Sequence, residues 1–211
     1  MNLPNVRRWV DSLLPDVEAA KLQLDWLRGI ARGDRKFIAA IVQSPTARRL
    51  LNRRVYRQHR ISVPGKVDLA PHQQWLLANH ADQTALARRL GFDALQDNIR
   101  KTVRAAAVAA IKKELGDDGY KQALTNPSLA VTGLTQPTFD AAVNKGQIEQ
   151  YAISVGAALL ETTVPADDFS RLRMQFAFSP ACWRMRPRSI KVDAAALAQK
   201  IAARVPDQAK S

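Results

Sequence analysis

Three histidines, one cysteine and two Asp-Asp pairs are the residues of this chain whose types could carry catalysis or hold a metal. Their spacing argues against both. His72 and His80 stand eight residues apart, two helical turns, which is too far for one helix to bring both to a single zinc ion; His59 lies outside that pattern. Asp117-Asp118 and Asp167-Asp168 fall at expected helix starts, where carboxylates cap free N–H groups and favour the dipole. Cys182, in SPACWRMRPR, has arginines nearby that would lower a thiol pKa, but beside Trp183 it reads more simply as a small buried hydrophobe. The glycines are single punctuation marks and form no phosphate-cradling loop. No catalytic residue, cofactor or metal is therefore expected.

Basic runs are the functional signal that survives. Lys plus Arg number 32 against 19 Asp plus Glu, a net charge of +13, which attracts acidic partners of any class. Residues 35–67 hold nine Lys or Arg and no acid, and Arg49, Arg53 and Arg57 recur every fourth residue as a ridge of like charge. A second acid-free run, 170–192, carries Arg171, Arg173, Arg184, Arg186, Arg188 and Lys191, interleaved with Met174, Phe176, Phe178 and Trp183. Arginine beside tryptophan and methionine is the composition of an interface anchor, so Arg49, Arg53, Arg57, Arg171, Arg173, Trp183, Arg184 and Arg186 are the candidate partner-binding residues. Nucleic-acid binding is the alternative, although no helix-turn-helix spacing, zinc-finger ligand set or ribonucleoprotein aromatic motif accompanies the charge. A solvated basic face is the blander one.

The elements that must position these residues read as helices. Over 86–124, apolar residues at Phe92, Leu95, Ile99, Val103, Ala106, Ala110, Ile111 and Leu115 collect one stripe on a helix. Gly91 is expected to end the preceding helix, Asp93 to cap the new one, and Gly116 to stop it behind Lys112 and Lys113. Leu95, Ile99, Val103 and Ile111 should be buried. Ser44-Pro45 caps and opens a helix from Thr46 to about His59, with Leu50, Leu51 and Val55 facing inward. Residues 125–137 read as loop, 139–143 and 148–160 as helix, 180–187 as irregular, and Asp193 as the cap of a last helix over 194–205. With 211 residues, 46% hydrophobic and 24% charged, and no repeat, the expectation is all-α: a single compact multi-helix domain over 1–211 with little or no β structure, its core divided into two sub-lobes joined by the loop 125–137.

The apolar stretches 105–111 and 155–160 are far short of the roughly 20 residues of a membrane helix. Acid and proline at Asp11, Pro15 and Asp16 interrupt any signal-type run after Arg7 and Arg8, so a cytoplasmic protein is expected.

The succession LARRLGF, a short gap, then IRKTVRAAAVAAIKKELGDDGYKQAL resembles the middle of the SctK family, the accessory subunit of the bacterial type III secretion sorting platform. Leu90, Gly91, Leu115, Gly116, Tyr120, Ala123 and Leu124 carry the match, within 39 of the 211 residues. Weaker echoes are FSRLRMQFAF at 169–178 and the Trp9 to Leu-Leu-Pro segment. What the resemblance implies is a non-enzymatic cytoplasmic adaptor in virulence or symbiosis, peripheral to the inner membrane through the apparatus. Its implied protein partners are the inner-membrane ring's cytoplasmic domain, the C-ring-like pod subunit and the ATPase stalk.

Overall fold

The computed structural model describes residues 80–203, apart from Asp167 and the side chains of 80–82, 168, 169, 172, 173 and 176, together with residues 44, 46, 47, 50, 57, 73 and 76. Helices dominate: α1 His80–Arg100, α2 Ala105–Thr125, α3 Gln136–Asn144, α4 Ile148–Thr163, α5 Asp168–Ala177, α6 Pro180–Arg184 and α7 Ala194–Ala202. The β structure among the described residues is one antiparallel pair, β1 Val131–Thr132 with β2 Lys191–Val192, in the register Val131↔Val192. The fold class is thus all-α with a minor sheet. None of the described helices is long and apolar enough to cross a membrane.

Two compact units divide the chain. One comprises Met1–Gln83, Val164–Pro180 and Val205–Ser211; the other comprises Thr84–Thr163 and Ala181–Arg204, so the loop 125–137 lies inside the second. In the first, the Ser44 hydroxyl oxygen accepts from the Ala47 amide at 3.4 Å, the cap expected of Ser44-Pro45, and Thr46, Ala47, Leu50 and Arg57 are helical. Leu50, expected inward, is 60% exposed; Leu51 and Val55 lie outside the described residues. On α5, Ser170, Met174 and Ala177 form a buried stripe at helical spacing.

The second unit is built around α4, whose residues Tyr151, Ala152 and the whole run 154–160 are buried, as a helix apolar on all sides must be. Helix α3 packs on both α2 and α4, and α7 packs on α4 through Leu197 and Ile201. Against expectation, α1 passes straight through Gly91 and Asp93. A Cβ on Gly91 would overlap the Ala152 carbonyl of α4, and one on Gly156 would overlap the Ala87 carbonyl of α1. The two glycines therefore mark a reciprocal backbone-to-backbone crossing, and Gly91 is a contact residue and no helix stop. Asp93 correspondingly lies inside α1 and not at a helix start; its carboxylate pairs with Lys200 of α7 at 3.5 Å.

The break comes instead at 101–104. Thr102 donates its hydroxyl to the Asn98 carbonyl at 2.9 Å and its amide to Ile99 at 3.0 Å, tightening and ending the last turn. Gln136, from the start of α3, accepts from Asn98 Nδ2 at 3.0 Å and donates to Asp140 at 2.9 Å. This side-chain network outweighs the sequence's continuous periodicity. Phe92, Leu95, Ile99 and Ile111 are buried as expected, but Val103 is 87% exposed, Ala106 is exposed, and Ala110 and Leu115 are half-buried.

Gly116 does interrupt a helix. Its φ of 72° is open to glycine at little cost, and it splits α2 into two segments. Arginines of α1 cap both ends. Arg88 donates to the Glu114 carbonyl at 3.1 Å and to the Glu149 carboxylate at 2.7 Å, while Arg100 donates to the Leu124 carbonyl at 3.2 Å and to that of Asn126. These carbonyls belong to helix ends that lack intrahelical partners. Asp193 caps α7 as expected, accepting from Ala195 and Ala196 at 2.8 and 3.3 Å.

Candidate functional site

The second acid-free run folds into one wall of a groove in the second unit. Residues 180–187, expected to be irregular, begin with the short helix α6, which opens on Pro180, where a missing N–H is harmless. Ser154 of the buried α4 donates to the Cys182 carbonyl at 2.7 Å and ties α6 to the core. Met185 donates back to Ala181 and Cys182, and Arg186 to Trp183, so the chain curls once more before Pro187 prevents continuation. Farther on, Ser189 meets Gly133. With a φ of 91°, and with a Cβ that would strike the Ser189 carbonyl, position 133 requires glycine. Pairing of β1 with β2 then fixes the wall's far end.

Thr138, Ala141 and Ala142 of α3, with Lys145 just past its end, form the opposite side, and Tyr151 of α4 closes the floor. The open groove's volume is about 550 Å³, the size range of small-ligand and peptide-anchor sites. Lys145, Arg184, Arg186 and Arg188 all line it, and no Asp or Glu does among the described residues. Arg186 is already engaged: it pairs with Glu161 at 2.6 Å and lies over the Trp183 ring at 5.5 Å. Neither Lys145 nor Arg188 has an ion-pair partner among the described residues.

Burial governs the two titratable groups behind the wall. Desolvation pushes the Cys182 thiol up to about 12, outweighing the contact with Ser154, which acts to lower it. Cys182 is therefore a buried hydrophobe and the surrounding arginines do not make it a thiolate. Desolvation also raises Tyr151, so its hydroxyl stays protonated. The cationic lining can hold an anion by charge.

Of the expected partner-binding residues, Trp183, Arg184 and Arg186 come together here. Arg171 is exposed on α5, where Arg173 also lies, and Arg57 is exposed on its helix; all three belong to the first unit. Arg49 and Arg53 lie outside the described residues. Sequence reasoning left Lys145, Tyr151 and Thr138 unassigned, and counted Arg188 in the basic run without singling it out. Arg188 could have been selected by that run. For Lys145 no local signal exists, because its neighbours at the groove come from some forty residues downstream, as Arg184 and Arg188 do.

The groove has to be understood from its own chemistry, because no known protein family, curated protein or solved structure matches the chain.

Proposed function

We propose that the chain is a non-enzymatic adaptor that docks an acidic segment of a protein partner in the groove between α3 and residues 184–189. The carrying observation is that four cationic side chains line this concavity with no Asp or Glu among its described lining residues, and that two of them, Lys145 and Arg188, have no ion-pair partner among the described residues. Like charges gathered around one surface hollow repel one another, and an anionic partner relieves that repulsion. Together with the resemblance to SctK, this supports a cytoplasmic sorting-platform subunit. It would bridge the inner-membrane ring's cytoplasmic domain and the C-ring-like pod subunit, near the ATPase stalk.

The test is a charge-reversed variant, Lys145→Glu with Arg184→Glu and Arg188→Glu, in pull-downs against the ring and pod subunits. Loss of the partner with an unchanged circular dichroism spectrum is the expected result. An unaffected pull-down removes the groove from the interface. Tight duplex DNA binding by the unaltered protein, falling steeply as salt rises and with no secretion partner recovered, would favour the nucleic-acid reading instead.

A further inference from the structure

Charge alone does not say which anion fits, but the rest of the lining does. Between the cations lie Ala141, Ala142, Met185 and Pro187, so the hollow combines a cationic rim with an apolar bed. A phosphate or nucleic-acid backbone would cover that bed with nothing that benefits from it. Bases gain from stacking on open aromatic faces. The aromatic residue of the lining is Tyr151, which is 2% exposed and offers no face. A side chain of Leu or Phe size would instead displace water from the bed, which favours binding in proportion to the apolar surface covered.

Resting on the adaptor reading above, we infer that the occupant is a short acidic peptide segment with an aliphatic or aromatic anchor. The anchor sits against Ala141, Met185 and Pro187, and flanking carboxylates meet Lys145 and Arg188. Arg186 contributes less, since Glu161 already holds it. The anchor supplies desolvated contact area and the carboxylates supply register, the usual division between interface core and rim.

The probe is a fluorescein-labelled peptide with two leucines flanked on both sides by glutamates. It is compared by anisotropy with the same peptide carrying serines for the leucines, and with single-stranded oligothymidylate. The leucine peptide should bind about tenfold more tightly than the serine peptide. Ala141→Trp, at an exposed α3 position that lines the bed, should weaken it by a similar factor while leaving thermal unfolding unchanged. Thr138→Trp, also exposed one turn earlier, repeats the block in case the first substitution perturbs α3. Equal affinity for the two peptides, or no effect of either tryptophan, overturns the anchored-peptide inference. The adaptor reading then stands or falls separately on the charge-reversed pull-down. Tighter binding of oligothymidylate than of the leucine peptide overturns it as well.

Discussion

Cys182 and Ser154 show how the basic wall is held: a neutral thiol and a hydroxyl donated to a carbonyl sit where arginine-rich sequence alone would suggest a reactive centre. Because burial raises the thiol from 9.0 to about 12, the folded state holds this proton more tightly than the unfolded chain does. That stabilisation is complete below pH 9 and is lost as pH rises toward 12, at up to about 1.4 kcal/mol per pH unit. Urea midpoints should accordingly fall between pH 9 and 11 in the unaltered protein and fall less in Cys182→Ala; parallel slopes would refute the assignment. Native Cys182 should also resist iodoacetamide at pH 8 until denaturant is added. Residue roles set by near neighbours were legible. Asp193 caps α7 because its acceptor and donors lie within three residues, whereas Asp93 was misassigned because its partner, Lys200, is far along the chain.

At the scale of elements, the crossing of α1 over α4 and the break at 101–104 are the two features that periodicity could not reveal. Glycine inside a helix reads as a weakness or a stop, since alanine is better there by about 1 kcal/mol. Here the absent Cβ is what lets two backbones meet, so Gly91→Ala and Gly156→Ala should destabilise by about 1–3 kcal/mol in chemical denaturation. Stabilisation by either would mean the helices are not in contact there. The apolar stripe was legible up to Ile99 and again at Ile111, because burial of those side chains follows local spacing. Its failure at Val103 arises from Gln136, which reaches back from α3 to the end of α1. Ile99→Ala should therefore cost about 2–5 kcal/mol by leaving a cavity. Val103→Ala should stay within about 0.5 kcal/mol, and a larger loss would place Val103 in the core.

For the molecule as a whole, the excess of +13 sets the long-range attraction, but not every cation is available for direct contact. Arg88 and Arg100 are engaged as helix caps, and Arg186 is paired with Glu161. Lys145 and Arg188, which have no ion-pair partner among the described residues, are left to meet a partner's carboxylates. Association with an acidic partner should consequently slow as ionic strength rises, with dissociation changing far less, a split that stopped-flow mixing at several salt concentrations would resolve. The helical class was legible because it follows from composition and spacing. The groove was not, because it exists only once residues 184–189 are brought opposite α3. The wall has one further property: its exposed arginines are the residues after which trypsin cuts. Arg188 precedes Ser189 and is the exposed candidate, whereas Arg186 is shielded by Pro187 in the next position and the Arg184–Met185 bond is held in the hydrogen-bonded turn that ends α6. An occupant of the groove would lie across the Arg188–Ser189 bond, so the pace of nicking at this site becomes a footprint of occupancy that requires no label on either molecule.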